Sequence, residues 1–414
     1  MPHPSAQGRQ THLAERDLHD AGGSDRQSHG TRSSGLDLLP GPSRPSAASQ
    51  TVKLRFEVVP LELRHAWAVS STAAQGGRRS IDTLLVQLRD DAGREGWGEA
   101  PTSLRYHQSA ADLTGFLGAL PPLKLDFEEV DSSLQFLDGL TGPRSALSAL
   151  ETAFLDGASR HRGVTLARLL ELPGPPPSCL TSFSIGIDEP EIIDRKVLEA
   201  GDFPILKIKV GSPRDPEILA AVRAAAPNKI LRLDANEAWP TKEQALQAME
   251  NLAAWGPIEL IEQPMPAEAS GEDQRWLKQR SPWPIFADES CQTEQDSNRW
   301  NDGFHGVNVK LIKTRGPRGA RRVLEAARSR GLRTMLGCMM ESSCGIAAAF
   351  QLASLAHHLD LDSHWLLATD PFAGLEIDRG ELRWIHGAPE PGLGIRRRND
   401  PDSRIGNWGH GFHG

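Results

Sequence analysis

Apolar and polar residues recur with different periods in different parts of this chain, and the changes of period mark its predicted domains. Over residues 1–50 there is almost no apolar period, and Ser, Gly, His, Arg, Asp and Pro are abundant. Such a composition cannot bury enough apolar surface to offset the entropy lost on ordering. We therefore predict a disordered N-terminal extension over residues 1–50.

Residues 51–175 begin with a strand pattern and end with a helical one. The segments VKLRFEVVPLEL and IDTLLVQLRD are strand-like, and a DAG turn leads from the second into GREGWGEA. Beyond about residue 109 the apolar residues recur with a helical period, as in SALSALETAFLDGAS. Strands followed by helices in one block predict an α+β domain over residues 51–175.

Residues 176–385 alternate short β-type runs with helix-like stretches such as DPEILAAVRAAA. Eight runs begin about 22 to 28 residues apart, at Ser182, Ile205, Ile230, Ile258, Pro284, Gly306, Thr334 and His358. This alternation predicts an α/β fold, a (β/α)7β-type TIM-like barrel. A doubly wound sheet is the alternative, but no GxGxxG or P-loop is present to bind a nucleotide. We predict that residues 386–414 return toward the α+β domain and end in a loose tail.

Acidic residues stand at the C-terminal ends of three consecutive predicted strands, at Asp234, Glu262 and Asp288. Barrel enzymes place their chemistry at this rim. Neighbouring strands lie about 4.8 Å apart, so the three carboxylates should converge. A hard divalent cation would remove their mutual repulsion, and an all-oxygen ligand set favours Mg²⁺ over Zn²⁺. The sequence therefore predicts a Mg²⁺ site, with pairing of each acid to a rim Lys or Arg as the alternative.

Three lysines accompany these acids. Lys209 and Lys310 end the second and sixth strands, which are four apart in an eight-stranded barrel and should face each other across its mouth. A carbon atom held between them would have one acid/base group on each face, as inversion requires. Lys207 precedes Lys209 by two residues, points into the same interior and should favour a neutral Lys209. The alternative is that the lysines only form ion pairs with the acids.

The eighth strand adds Asp360 and Asp362, which share one face by their spacing of two residues. We expect them on the side of the mouth away from the cation. Two acids in that position could hold a substrate ammonium group. Loop-ordering or helix-capping aspartates are the alternative.

Composition narrows the class of protein further. A formal net charge of −8 argues against a nucleic-acid partner, and the lack of any apolar run of 18 residues argues against a membrane partner. The four cysteines form no CxxC pair, so we predict reduced thiols and a cytoplasmic protein. A homo-oligomer is left open.

The ordered series KIKVG, RLDANEAW, IEQP, ADES, NVKLIK and GCMMES resembles the motifs of the enolase superfamily, in its muconate-lactonizing-like subgroup. The resemblance covers about residues 52–395. It implies that the α+β domain is a capping domain over the barrel. It also implies that Asp234, Glu262 and Asp288 bind Mg²⁺, that Lys209 and Lys310 are the acid/base pair, and that Lys207 assists them.

Within that subgroup, Asp360-Leu361-Asp362 resembles the DxD element of the dipeptide epimerases, in which the two acids bind the α-ammonium of the substrate. The resemblance implies a Mg²⁺-dependent epimerase that inverts the C-terminal residue of an L,L-dipeptide through an enediolate. It further suggests substrate contacts, which we expect at Thr181, Glu341, Met340 and Arg64. The preferred side chains of the dipeptide stay open.

Two other functions compete with this one. An N-acylamino acid racemase, an o-succinylbenzoate synthase or a muconate-type cycloisomerase would share the lysines and the acids, but the substrates of these enzymes have no free ammonium. The DxD element favours a dipeptide over them. A non-catalytic barrel that serves as a binding module would have no need for three acids and three lysines at one rim.

Overall fold

The computed structural model describes residues 52–70, 72 and 76–398. The predicted extension over residues 1–50 and the end of the C-terminal tail therefore lie outside the described residues. No helix among the residues that the structure describes is long and apolar enough to cross a membrane.

The N-terminal domain consists of a three-stranded antiparallel sheet and four helices. Its strands, in the order β1-β2-β3, are β1 (Lys53–Trp67), β2 (Arg78–Arg89) and β3 (Glu95–Pro101), and its helices are α1 (Ala110–Gly118), α2 (Val130–Asp138), α3 (Arg144–His161) and α4 (Leu166–Leu169). Helix α3 packs closely on β3, where a Cβ atom at Gly98 would lie 2.0 Å from the carbonyl oxygen of Ala149. Glycine is therefore required at position 98 for this packing.

Eight parallel strands form the second domain, each of the first seven followed by a helix. The elements, in chain order, are β5 (Phe183–Ile185), α5 (Pro190–Glu199), β6 (Ile205–Lys209), α6 (Asp215–Ala225), β7 (Ile230–Asp234), α7 (Lys242–Leu252), β8 (Ile258–Glu262), α8 (Gly271–Arg280), β9 (Ile285–Ala287), α9 (Ser297–Gly303), β10 (Gly306–Val309), α10 (Pro317–Ser329), β11 (Arg333–Gly337), α11 (Ser343–Phe350), β12 (His358–Asp360) and a short α12 (Ser363–Leu366). β4 (Ser178–Leu180) precedes them.

The eight strands neighbour one another in the sheet in the order in which they occur in the chain, from β5 to β12. A parallel bridge between Thr181 and Leu359 brings the last strand beside the start of the first one. The predicted (β/α)7β-type barrel with an N-terminal α+β domain is thus confirmed, and each predicted β-type run contains a barrel strand.

Short strands near the C-terminus were not predicted. They are β13 (Phe372–Ala373), β14 (Leu375–Asp378), β15 (Glu381–Trp384) and β16 (Arg396–Arg397). β15 pairs with both β14 and β4, and β16 pairs with β13. Their two- to four-residue lengths leave too few residues for an alternating pattern to be visible in the sequence.

Buried carboxylates connect the two domains. Glu99 at the end of β3 accepts hydrogen bonds from the backbone N–H and hydroxyl of Ser342 and from the N–H of Gly345, at 2.6–3.1 Å, at the first turn of α11. Asp156 of α3 accepts from the N–H of Leu393 in the C-terminal segment. Burial raises the pKa of Glu99, and these donors oppose that shift. The capping domain is therefore fixed directly to the rim of the barrel.

Candidate active site

A cavity of about 570 Å³ lies at the C-terminal ends of the barrel strands, beneath the capping domain. Side chains of both domains line it. The capping domain contributes Trp67, Ile81 and Tyr106, among others, and the barrel contributes the charged residues described below. A barrel rim covered by a second domain can exclude water from a reaction.

The three predicted metal ligands meet at this rim. Asp234 and Glu262 are direct neighbours in the β7–β8 register, and Asp288 follows β9. One oxygen atom of each lies within 4.8 Å of the others, and all three residues are buried. Burial raises the pKa of Glu262 to about 7, because the opposing charge of Lys207 only partly offsets burial and the neighbouring acids. This donor set of three buried carboxylates fits a hard divalent cation.

Lys207 lies at the centre of the acidic cluster rather than beside Lys209 alone. Its Nζ atom lies 2.5 Å from Glu262, 2.6 Å from Asp360 and 3.0 Å from Asp234. Burial alone would lower the pKa of Lys207, but the three carboxylates hold it well above its ordinary value. The expectation that Asp360 stands apart from the metal acids is wrong, since Lys207 connects them.

Lys209 and Lys310 flank the acid trio from strands four apart in the sheet. Nζ of Lys209 donates to Asp234 at 2.7 Å, and Nζ of Lys310 donates to Asp288 at 2.9 Å. Both side chains line the cavity. Burial opposes the charge of Lys310, yet Asp288 raises its pKa well above the ordinary value. Each lysine thus donates a hydrogen bond to a different acid of the trio.

Three residues that support the trio were missed in the sequence. Lys313 is fully buried and donates to the carboxylate and the carbonyl of Asp288, both at 2.6 Å. Gln263 accepts from the backbone N–H of Asp288, and Asn308 donates to Glu262 at 2.9 Å. Lys313 follows Lys310 by three residues in NVKLIK, and this second lysine just beyond a strand end was a usable signal.

Asp360 and Asp362 face the same cavity, held by serines of the first barrel strand. The hydroxyl of Ser182 donates to Asp360 at 2.7 Å, and the backbone N–H of Ser184 donates to Asp362 at 2.6 Å. Asp362 lies just beyond β12, at the start of α12, so the two acids do not belong to one strand face as predicted. Burial and the charge of Asp360 raise the pKa of Asp362 to about 7.

The four predicted substrate contacts separate into two groups. Met340 lines the cavity. Thr181 is fully buried and accepts a hydrogen bond from the N–H of Leu361, and Glu341 is buried and accepts from the N–H of Met339. Arg64 donates to the carbonyl of Leu367. These three lie outside the main cavity lining, because their polar atoms are used to fix backbone around it.

A smaller, mostly apolar pocket adjoins the cavity and has room for about 20 Å³. Trp67, Ser184, Met340 and Leu366 line both spaces and form the partition between them. The ring of Trp67 also lies 5.8 Å from Nζ of Lys209. A side chain that enters this pocket would pass beside Ser184, and therefore beside Asp362.

Tyr106, the only tyrosine of the chain, also lines the cavity and was not predicted. Burial raises its pKa well above the ordinary value, and the charges of Asp288 and Glu289 raise it further. Tyr106 belongs to the loop between β3 and α1. No pattern in this loop showed that its side chain would reach the barrel rim.

The chain is similar in sequence to known proteins. A family model described as "Enolase C-terminal domain-like" matches residues 192–400. An L-Ala-D/L-amino acid epimerase of Pedosphaera parvula is 41% identical over 84% of this chain and all of the relative. An L-Ala-D/L-Glu epimerase of Bacteroides thetaiotaomicron is 32% identical over 84% of this chain and 88% of the relative.

A solved structure gives the same result. The dipeptide epimerase of Enterococcus faecalis, complexed with Mg and L-Leu-L-Tyr, matches with a TM-score of 0.72 at 27% identity, over 83% of this chain and 99% of the other. The chain therefore belongs to the enolase superfamily and, within it, to the dipeptide epimerase family.

Proposed function

We propose that this protein is a Mg²⁺-dependent dipeptide epimerase that inverts the α-carbon of the C-terminal residue of an L,L-dipeptide. The observation that supports this most is the layout of one cavity. Lys209 and Lys310 flank the acid trio, and the carboxylate of Asp362 lines the same cavity. One cavity thus offers cationic and metal-ligating groups for a substrate carboxylate and an acid for a substrate ammonium.

Asp234, Glu262 and Asp288 are the residues that would hold Mg²⁺. When bound, the cation supplies positive charge to the substrate carboxylate while negative charge develops on it. The fit rests on the donor set, which is three buried carboxylate oxygens without nitrogen or sulfur. Binding of the cation by Asp234 and Asp288 would compete with the hydrogen bonds that these carboxylates accept from Lys209 and Lys310.

The two lysines would carry the α-proton. Nζ of one lysine removes the proton from one face of the α-carbon, and Nζ of the other lysine delivers a proton to the opposite face. The carboxylate meanwhile becomes an enediolate, whose charge the ammonium of Lys207 stabilises. The lysines stand at the ends of strands four apart in the barrel, so each would act from its own side of the α-carbon.

Asp362 is the acid that we assign to the substrate ammonium. Asp360 already pairs with Lys207 at 2.6 Å, whereas the donors to Asp362 among the described residues are neutral, namely Ser184 and its own backbone N–H. A substrate ammonium would pair with the buried carboxylate of Asp362. Without that partner, burial and the charge of Asp360 raise the pKa of Asp362 to about 7. The small apolar pocket beside Ser184 would then receive the side chain of the N-terminal residue, and its volume suits alanine.

Replacing Asp362 by Asn should separate dipeptides from N-acylamino acids. Loss of a buried charge pair costs about 2–5 kcal/mol of binding free energy, so kcat/KM for dipeptides should fall at least about thirtyfold. Any slow racemisation of an N-acylamino acid should be unchanged or increased. An equal fall for both substrate classes would contradict the assignment of Asp362.

The reaction itself can be tested by α-proton exchange in D₂O with Mg²⁺, with a library of L,L-dipeptides followed by mass spectrometry. We expect one deuterium to enter the C-terminal residue of the preferred dipeptides, and a chelator to abolish exchange. Exchange into N-acylamino acids alone would instead support a racemase.

All four cysteines are free thiols. We accordingly propose that the protein works in the reducing cytoplasm. Every residue assigned to the reaction comes from one chain. The reaction therefore does not require a homo-oligomer, and it is compatible with one.

A further inference from the structure

The loop between β3 and α1 brings capping-domain side chains to the barrel rim. Arg105 in this loop donates to both carboxylate oxygens of Glu237, at 2.6 and 3.0 Å, and to Glu268 at 3.3 Å. A bidentate pair fixes the direction of a guanidinium group as well as its distance. Arg105 thus ties the loop to the segment that follows β7.

Glu237 is itself held in a fixed position. It accepts from the N–H of Ala267 at 2.8 Å, and its own N–H donates to the carbonyl of Gln263 at 2.8 Å. Asn236 and Glu237 have left-handed backbone conformations, with φ of 45° and 66°. Residues other than glycine adopt this conformation at a cost that the surrounding contacts must offset. Arg105 is therefore anchored to a rigid turn two residues beyond the metal ligand Asp234.

Tyr106 follows Arg105 directly, and its side chain lines the cavity. Asp288, Glu289 and Lys310 belong to the same cavity lining as Tyr106. Tyr106 is partly buried, and its hydroxyl makes no hydrogen bond with any residue that the structure describes. A phenol O–H that faces this cavity is suited to donate to a ligand.

We propose that Tyr106 donates a hydrogen bond to the carboxylate of the bound dipeptide, and that Arg105 is the positioning residue that holds Tyr106 in place. The inference rests on the proposed epimerase function and adds a catalytic residue from the capping domain. The carboxylate gains negative charge as the α-proton leaves, so this hydrogen bond is stronger in the transition state than in the ground state. Tyr106 should therefore act mainly on kcat.

Replacing Tyr106 by Phe removes the hydroxyl and keeps the ring. Loss of one such donor costs about 10²-fold in kcat, with little change in KM for the dipeptide or in the Mg²⁺ affinity of the free protein. Arg105→Ala should lower kcat to a similar extent and Arg105→Lys less. In the Tyr106→Phe background, Arg105→Ala should cost little more, because residues that act as one unit are not additive.

The single tyrosine also permits a direct spectroscopic measurement. Protein labelled with 3-fluorotyrosine should give one ¹⁹F signal that shifts when a turned-over dipeptide binds with Mg²⁺, and that does not shift with the same dipeptide carrying a C-terminal amide. An Arg105→Ala variant should lose the carboxylate-dependent shift.

The outcomes separate a failure of the role assigned to Tyr106 from a failure of the proposed epimerase function. If wild-type protein epimerises a dipeptide while Tyr106→Phe keeps full kcat, or if the acid and the amide shift the ¹⁹F signal equally, the role of Tyr106 is overturned and the epimerase function stands. If wild-type protein exchanges the α-proton of no dipeptide, the proposed function falls and this inference falls with it.

Discussion

An alanine at position 310 or at position 209 should abolish net epimerisation, with turnover reduced by about 10⁴-fold, the upper range for a positioned acid/base group. Each variant keeps one base on one face of the α-carbon. It should therefore still exchange the α-proton of one epimer of the dipeptide with deuterium from solvent. Lys209→Ala and Lys310→Ala should retain exchange of opposite epimers.

This complementary result depends on the geometry of the two lysines. Lys209 ends β6 and Lys310 directly follows β10, and each contacts a different acid of the trio. Mass spectrometry of the L,L and L,D dipeptides in D₂O would measure the four exchange rates. Lys242→Met removes a lysine paired with Asp273 outside the cavity lining and provides the control for loss of one positive charge. If either cavity variant still interconverts the epimers at the wild-type rate, two-base inversion is excluded.

The sequence alone was sufficient to predict the barrel and the position of the three acids at its rim. Parallel strands are buried on both faces, so a charged residue such as Asp234 at the end of an apolar run is conspicuous and its position along the strand is known. The order of strands then fixes which charged residues are neighbours. For that reason Asp234, Glu262 and Asp288 could be placed together from spacing alone.

Contacts across the barrel mouth could not be derived in this way. Lys207 reaches from β6 to Asp360 on β12, and the order of the strands does not decide which of the acids around the rim so long a side chain contacts. Tyr106 belongs to the capping domain, and we infer that the ion pair between the neighbouring Arg105 and Glu237 holds it at the barrel rim. Arg64 was predicted from the resemblance to contact substrate. It lies outside the main cavity but lines the smaller pocket, where its guanidinium stacks on Trp365, so this contact stays a prediction. Long side chains allow several partners, and only the packed structure selects one.

Lys207 forms ion pairs both with acids of the metal trio and with Asp360, and this gives it a specific role. Its ammonium is the shared partner of Glu262, Asp234 and Asp360, and the residue is 2% exposed. Removing one partner of a buried charge network costs about 3–5 kcal/mol. Lys207→Met should therefore lower the thermal midpoint strongly in a chelator. Mg²⁺ should restore part of that loss, because the cation would neutralise Asp234 and Glu262 and leave Asp360 unpaired.

The same substitution should change how Mg²⁺ binding depends on pH. Glu262 has a pKa of about 7 with Lys207 beside it, and loss of this ammonium should raise the pKa further. Only the ionised carboxylate binds the cation, so affinity is full above the pKa of Glu262 and falls by about tenfold for each pH unit below it. Calorimetric titration with Mg²⁺ between pH 6 and 9 should show this fall beginning at a higher pH in Lys207→Met than in wild-type protein. Lys242→Met should match wild-type protein. Identical pH profiles for Lys207→Met and wild type would mean that Lys207 does not control the ionisation of the metal site, and its function would then be limited to stabilising the enediolate.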